Sequence, residues 1–248
     1  ALVECCLATK ETGWKFLRWR MPHEGNLFER RTPKLTAIQQ LQAVREAVGE
    51  EMEIAFDAYT RLDLPDALWL CRELEPFRPF LVEDPLHSEN THSCRAWGSG
   101  TTVPLAAGEQ FSSKREFRQL DEEDPIDFAR IDLCIAGGLT EAHKIAGWCE
   151  TPYIKPATVN PLGPVLSAAC LHLNLASPLV GVQEQARMPG TQMQDIFPEQ
   201  IGRKDGWLLP PGRPGPGATF GRNAARAHPM REHWHSDLRR ADCSFTNS

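Results

Sequence analysis

The chain has 248 residues, of which 41% are hydrophobic and 24% are charged, as is typical of a globular protein. This length is enough for one barrel domain of ordinary size. The net charge of −6 at pH 7 argues against nucleic acid or an anionic membrane as a partner, and no apolar run approaches the roughly 18 residues of a membrane helix.

Eight cysteines are spread along the chain without a Cys-x-x-Cys pair, which argues against a zinc site. Four of them, Cys71, Cys134, Cys149 and Cys170, lie in or near predicted core elements, where a free cysteine packs as a small hydrophobic residue. The N-terminus lacks the basic start and long apolar core of a signal peptide. We therefore expect reduced thiols and a cytoplasmic protein.

Helices and strands alternate along the first half of the chain. The predicted elements are, in order, a helix over 1–12, a strand over 14–19, a helix from Lys34 or Thr36 to Gly49, a strand ending at Asp57, a helix over 64–77, a strand ending at Glu83 and a helix over about 88–98. The predicted buried stripe of the second helix consists of Ile38, Leu41, Val44, Ala47 and Val48.

The same alternation continues in the second half. The predicted elements are a strand ending at Glu109, a helix that begins near Ser112, a strand over 128–133, a helix from Gly137 to Cys149, a strand over 153–156, a helix over 162–175 and a strand over 179–184. The predicted apolar face of the last helix consists of Val165, Leu166, Ala169 and Leu173.

Seven strands that alternate with helices predict parallel β/α units. A complete barrel has eight strands, and the chain opens on a helix, so the expected fold is a truncated (β/α) barrel over 1–185 that lacks its first strand. The open seam of such a barrel exposes two strand edges. We expect a homo-oligomer or the C-terminal tail to cover it.

The tail over 186–248 is predicted to be irregular, because proline and glycine recur along it. It still contains Ile196, Phe197 and the apolar run 207–209, so parts of it are expected to pack on the barrel. A histidine cluster near its end, which consists of His228, His233 and His235, has basic neighbours and favours a solvated surface over a metal site.

Three acidic residues recur at one interval, since Asp57, Glu83 and Glu109 are each separated by 26 positions. Each follows a short apolar run and precedes a predicted helix. Parallel barrel strands end on one face, where active sites are built. Three carboxylates meeting there repel one another unless a cation lies between them, and hard oxygen ligands suit Mg²⁺. This spacing favours a metal site over three unrelated surface acids.

Several motifs together resemble the enolase superfamily, and within it the mandelate-racemase-like sugar-acid dehydratases of the galactonate and mannonate dehydratase group. The motifs are Phe56-Asp57-Ala58-Tyr59, Val82-Glu83-Asp84-Pro85, Ala107-Gly108-Glu109-Gln110, Ala136-Gly137-Gly138-Leu139-Thr140-Glu141, Asn160-Pro161-Leu162-Gly163-Pro164, Val182-Gln183-Glu184-Gln185 and Asp205-Gly206-Trp207-Leu208-Leu209-Pro210-Pro211. The resemblance covers the chain up to about residue 220.

This resemblance implies a Mg²⁺-dependent enzyme that removes the proton α to the carboxylate of an acid sugar and then loses the β-hydroxyl. It implies that Asp57, Glu83 and Glu109 bind the metal and that Arg18 stands where the family carries Lys or Arg. It also implies that Glu184 is the acid that ends the eighth strand. Arg130 and Asp132 on the sixth strand are the implied substrate-binding residues, and Asp132 matches an acid that often orients a histidine.

The chain departs from the resemblance at both histidines that related dehydratases usually carry. Tyr59 stands at one position, and Thr158 and Val159 stand at the other. Valine cannot transfer a proton, and a phenol is a poor base at neutral pH unless a cation such as Arg18 assists it. The alternatives are that Tyr59 is a packed residue of the barrel mouth and that Arg18 is only an ion-pair partner of Asp57 or Glu83. We also expect the chain to lack the N-terminal capping domain of the family.

Two functions therefore stay open at this point. The three carboxylates favour an acid-sugar dehydratase with a Mg²⁺ site and reduced or absent activity. The loss of both histidine positions favours a non-catalytic relative that binds a metal or an acid sugar and acts in regulation or assembly.

Overall fold

The computed structural model describes residues 1–22, 31–88, 92–123, 126–230 and 242, which form two compact units. Among the described residues, the first unit contains 1–107 and 123–127, and the second contains 108–122 and 128–230. None of the helices described is both long enough and apolar enough to span a bilayer. The seven cysteines described all carry free thiols.

The first unit is built from β/α repeats. Its elements are α1 Leu2–Glu11, β1 Phe16–Arg20, α2 Arg31–Val48, β2 Glu53–Asp57, α3 Leu64–Leu74 with the 3₁₀ turn Glu75–Phe77, β3 Leu81–Glu83, α4 His92–Gly98 and β4 Leu105–Ala107. The four strands pair in parallel and in chain order. In this register Arg20 lies opposite Asp57, and Asp57 lies opposite Glu83. The C-terminal ends of these strands therefore meet at one edge.

The second unit continues the same pattern. Its elements are α5 Lys114–Glu123, β5 Phe128–Asp132, α6 Leu139–Cys149, β6 Lys155–Val159, α7 Pro164–Ala176, β7 Val182–Gln183, β8 Gly202–Lys204, β9 Trp207–Leu209 and α8 Arg222–Ala225. Strands β5, β6 and β7 pair in parallel. Strands β8 and β9 form a hairpin whose two turn residues, Asp205 and Gly206, both have positive φ, as a type I′ turn requires.

All seven predicted β/α strands are present among the described residues, so the alternation predicted from the sequence is confirmed. The predicted bounds 153–156 are wrong, because β6 spans Lys155–Val159. The prediction ends this strand at Pro156, but proline is tolerated near the start of a strand. Strand β4 ends at Ala107, and Glu109 lies in the following turn, where the Phe111 N–H donates to the Gly108 carbonyl over 3.0 Å.

The buried faces of two helices differ from the predicted stripes. In α2, Ala47 is exposed and Ala37 is buried, because the buried stripe follows positions 37, 41, 44 and 48 at helical spacing, and position 47 lies outside it. Arg45 is also buried. The Arg45 guanidinium donates to the carbonyls of four loop residues, which are Gly49, Met52, Phe77 and Arg78. In α7, Val165 is 48% exposed, whereas the polar Asn174 is buried.

Part of the tail packs on α7. Ile201 is buried against Ala168 and Leu171, and Leu208 packs on the same cluster. Trp207 is instead 73% exposed. His228 is half exposed and pairs with Asp195 at 2.6 Å; His233 and His235 lie outside the described residues.

Candidate functional site

Two buried carboxylates and one arginine meet at the ends of three neighbouring strands in the first unit. Nη2 of Arg18, on β1, lies 2.9 Å from Oδ2 of Asp57 at the end of β2. Nε of Arg18 also donates to Oε1 of Glu83 at the end of β3. The side chains of Asp57 and Glu83 are 0% and 1% exposed. One guanidinium therefore bridges two of the acids that the sequence assigns to a metal.

The backbone after β2 is held in an uncommon conformation. The Tyr59 N–H donates to Oδ1 of Asp57 over 2.8 Å, so that the carboxylate closes a turn over its own strand end. Tyr59 and Thr60 have φ values of 55° and 53°, and Asp84 after β3 has a φ of 41°. Such left-handed non-glycine residues store strain, and they cluster at functional sites.

The loops after β2 and β3 run side by side. The Ala58 N–H donates to the Glu83 carbonyl over 3.0 Å, and the Leu62 N–H donates to the Pro85 carbonyl over 2.8 Å. These bonds extend the strand pairing beyond the strand ends. They fix Asp57 and Glu83 next to each other through the backbone, independently of the arginine.

Two further arginines lie over the ring of Tyr59. The guanidinium carbons of Arg20 and Arg61 are 4.8 and 5.1 Å from its centroid, within cation–π range. Arg61 is only 4% exposed. Burial lowers the pKa of its guanidinium below the ordinary value, and the nearby charge of Arg20 acts in the same direction. The sequence analysis does not identify either arginine. Their only signal in the sequence is their position, since Arg20 lies two residues after Arg18 and Arg61 lies two residues after Tyr59.

The second unit holds a separate buried ion pair. Nη2 of Arg130, on β5, lies 2.7 Å from Oε2 of Glu184, which follows β7. Arg130 is 2% exposed, and its Nη1 donates to the Ala157 carbonyl over 3.2 Å. The Asn160 N–H also donates to Oε2 of Glu184 over 3.2 Å. The structure thus brings a predicted substrate-binding residue and a predicted catalytic residue into direct contact.

Asp132 ends β5 and closes a turn like that of Asp57. Its Oδ1 accepts from the Cys134 N–H over 2.7 Å, and the side chain is largely buried. Val159 ends β6 and is buried. The Thr158 hydroxyl accepts from Nδ2 of Asn174 on α7 over 3.0 Å, so this hydroxyl is turned towards the helix.

The proposed third metal ligand, Glu109, belongs to the second unit, so its part in a shared site stays a prediction. Gly108 before it has a φ of +117°, and a Cβ there would lie 2.6 Å from the Phe117 ring, so only glycine fits. Among the residues that the structure describes, no cluster of three or more His, Cys, Asp or Glu is arranged to hold a metal. The oxygen donors of Asp57 and Glu83 are nevertheless of the type that suits Mg²⁺.

Several proteins of known structure share the fold of this chain. An enolase from Pantoea ananatis with bound D-gluconate and Mg has a TM-score of 0.89 and 24% identity, over 98% of this chain and 67% of that one. An enolase from Agrobacterium radiobacter, a candidate galactarate dehydratase with bound Na and L-malate, has a TM-score of 0.87 and 24% identity, over 99% and 66%.

A mandelate racemase/muconate lactonizing enzyme-like protein from Rubrobacter xylanophilus has a TM-score of 0.82 and 26% identity, over 92% of this chain. The chain spans 60–67% of the length of these three relatives. The predicted fold class, an α/β barrel of enolase type, is confirmed. The profile of the family described as "Enolase C-terminal domain-like" matches residues 2–224, and this chain of parallel β/α units with acids at its strand ends belongs to that family.

Proposed function

We propose that this chain carries the barrel part of a Mg²⁺-dependent enzyme that dehydrates an acid sugar, and that its turnover is slow. In the reaction, the proton α to the carboxylate goes to a base on the protein, and the β-hydroxyl leaves with a second proton as water. The observation that carries the proposal is the pair of fully buried carboxylates, Asp57 and Glu83, held side by side at adjacent strand ends. Their burial next to each other requires positive charge. Arg18 supplies one positive charge for the two carboxylates, and a bound cation would supply the rest.

Asp57, Glu83 and Glu109 would hold the metal, since a carboxylate set of this kind matches the ligand preference of Mg²⁺. When bound, the ion supplies positive charge that stabilises the carboxylate of the substrate as its α-proton leaves. The proposed metal and substrate class are in keeping with two proteins of the same fold, since one contains D-gluconate with Mg and another contains L-malate with Na. Both bound molecules are hydroxylated carboxylic acids, the class that we propose for this chain.

Tyr59 is the group that we propose for proton transfer beside Asp57. Its backbone is fixed by the bond to Asp57, and its ring is flanked by Arg20 and Arg61. These two guanidinium groups lie over the ring and fix its position, and Arg18 contacts the neighbouring carboxylates. We propose Glu184 as the second acid, which Arg130 keeps oriented.

A second candidate function is a non-catalytic relative that binds a metal or an acid sugar and acts in regulation or assembly. The observation that favours it is the state of the proton-transfer positions in the second unit. Val159 offers no such group, Asp132 is bonded to the backbone of its own turn, and Glu184 is in an ion pair. A general acid or base contributes about 10²–10⁴-fold to a rate, so the absence of a histidine at the Tyr59 and Val159 positions is consistent with a large loss of activity.

Calorimetric titration with MgCl₂, followed by assays against a panel of acid sugars, tests the proposal. We expect the wild-type chain to bind Mg²⁺ and Asp57→Asn to lose binding. Asp66→Asn is the matched control, because Asp66 pairs with Lys34 between α3 and α2 and does not belong to the proposed ligand set. Equal binding by both variants would contradict the metal site.

The two functions are separated by restoring histidine. Tyr59→His combined with Val159→His should raise dehydration of an acid sugar if the rest of the site is competent. Mg²⁺ or acid-sugar binding without turnover, in both the wild type and the double variant, would favour the non-catalytic function. Vigorous turnover by the wild-type chain would show that its own residues suffice.

A further inference from the structure

One guanidinium lies between the two carboxylates that we assign to Mg²⁺. Nη2 of Arg18 is 2.9 Å from Oδ2 of Asp57, and Nε of Arg18 donates to Oε1 of Glu83. Nε and Nη2 form one edge of the planar guanidinium, so one oxygen of each acid meets the same edge. The arginine thus contacts both acids at once, as a shared cation does.

The other oxygen of Asp57 is also engaged. Its Oδ1 accepts from the Tyr59 N–H over 2.8 Å, so each oxygen of this carboxylate already has a donor. Mg²⁺ binds oxygens at about 2.0–2.1 Å, which is closer than the guanidinium nitrogen lies to Oδ2. An ion on Oδ2, with Arg18 in its present position, would therefore lie directly against a second cation and be repelled by it.

The two acids stay side by side independently of the arginine. Asp57 and Glu83 lie opposite each other in the register of β2 and β3, and the Ala58 N–H donates to the Glu83 carbonyl over 3.0 Å. The backbone therefore sets the positions of both ligands. Arg18 neutralises part of their charge, but it does not align them.

The side chain of Arg18 reaches solvent. It is 26% exposed, whereas the side chain of Arg130, in the ion pair with Glu184, is 2% exposed. The guanidinium of Arg18 can therefore exchange a carboxylate contact for water without being buried elsewhere, and that of Arg130 cannot.

We propose that Arg18 and Mg²⁺ compete for Asp57 and Glu83, and that Arg18 gives up at least one of its two carboxylate contacts when the ion binds. The inference rests on the metal site of the proposed function, and it adds a role for Arg18 as the counter-ion of these acids before the ion binds. The apparent affinity is lowered because only the fraction of chains in which Arg18 has moved away is ready to bind. One hydrogen bond to a charged group corresponds to about 10- to 100-fold in an equilibrium constant, so Arg18 should weaken Mg²⁺ binding by about that factor.

Calorimetric titration of the chelator-treated chain with MgCl₂ at neutral pH tests the competition. We expect the Kd of Arg18→Met to be about 10- to 100-fold lower than that of the wild type. Arg78→Met is the matched control, because it also removes one positive charge from the same unit, and Arg78 pairs with Glu50 instead of the two acids. Its Kd should equal that of the wild type, and circular dichroism shows that each variant is folded at the temperature of the titration.

The outcomes separate this inference from the proposed function. Binding by folded Arg18→Met that is equal to or weaker than binding by the wild type would overturn the competition and leave the metal site in place. Absence of binding from both chains would overturn the metal site and the inference with it. Binding by Arg18→Met alone supports the competition in its strongest form.

Crystals of the wild-type chain, grown with and without MgCl₂, test the displacement and do not depend on the stability of a variant. We expect both contacts of Arg18 in the crystal without the salt. In the crystal with bound Mg²⁺ we expect at least one contact to be lengthened beyond hydrogen-bond range, with Asp57 and Glu83 still adjacent. Mg²⁺ bound to either acid while Arg18 keeps both contacts would overturn the proposal, because the two cations would then share the carboxylates.

Discussion

Replacing Arg18 with methionine removes the cation that bridges Asp57 and Glu83 and keeps most of the length of the side chain. In the wild type this guanidinium contacts both carboxylates, which are 0% and 1% exposed. The substitution leaves two negative charges buried next to each other. We expect Arg18→Met to be folded but clearly destabilised at pH 7.

The magnitude follows from the burial of the three groups. Removing one partner of a buried ion pair typically costs about 3–5 kcal/mol. The Arg18 side chain is 26% exposed, so solvent screens part of its charge and the lower end of the range applies. We therefore expect a loss of about 3 kcal/mol in the free energy of unfolding.

Urea unfolding of the wild type, Arg18→Met and the double variant Arg18→Met/Asp57→Asn measures this loss. The double variant should regain part of the stability, because it removes one of the two stranded charges. Arg78→Met is the control, since the Arg78–Glu50 pair is mostly exposed and such surface pairs contribute about 0–1 kcal/mol.

Urea unfolding in the presence of MgCl₂ tests whether the same carboxylates bind Mg²⁺. An ion that binds the folded state at about 100 times its Kd adds about 2.7 kcal/mol of stability. MgCl₂ should therefore restore much of the stability of Arg18→Met and have no effect on Arg78→Met beyond its effect on the wild type. A loss in Arg18→Met no larger than that in Arg78→Met would refute the reasoning.

Three further predictions concern the framework around the site. Arg45→Met should cost about 3 kcal/mol or more in urea unfolding, because it strips the guanidinium from four loop carbonyls. Gly108→Ala should cost about 2–4 kcal/mol, since its φ is +117° and the new Cβ meets Phe117; wild-type stability would contradict this. Burial raises the pKa of the Cys94 and Cys170 thiols from 9.0 to about 12. The contribution of these two thiols to the free energy of unfolding is therefore complete below pH 9 and is lost as the pH rises towards 12. Urea midpoints that stay constant from pH 8 to 11 would contradict it.

The order and type of the elements could be predicted from the sequence because each strand is a short apolar run followed by a helical pattern. The predicted bounds of an element are less accurate where a single residue wrongly indicates its end. Pro156 indicated the end of a strand, but it lies near the start of β6. On α2 the burial of Arg45 could not be predicted, because it depends on bonds to loop carbonyls that hydrophobic periodicity does not detect.

The acidic residues at the strand ends indicate where the candidate site lies, but they do not indicate which arginines contact it. Asp57 and Glu83 were predicted together from their spacing, and the register of β2 and β3 confirms that they are neighbours. The sequence leaves two roles open for Arg18, which are assistance to Tyr59 and ion pairing with Asp57 or Glu83. It does not predict that Arg18 contacts both acids. The arrangement of Arg20 and Arg61 over Tyr59 was missed, because their contacts depend on the turn after β2 and on its positive φ values.

Asp57 and Asp132 show why local sequence is not enough to assign a role. Each ends a strand, and each accepts a hydrogen bond from the N–H two residues later, at 2.8 and 2.7 Å. They share this hydrogen bond, although the backbone after Asp57 has positive φ at Tyr59 and Thr60 and the backbone directly after Asp132 does not. Asp57 differs because β1 and β3 place Arg18 and Glu83 beside it, and Arg18 is separated from its two acids by 39 and 65 residues. The chemistry of this strand end is thus set by neighbouring strands, and the same aspartate hydrogen bond occurs in two different surroundings in one chain.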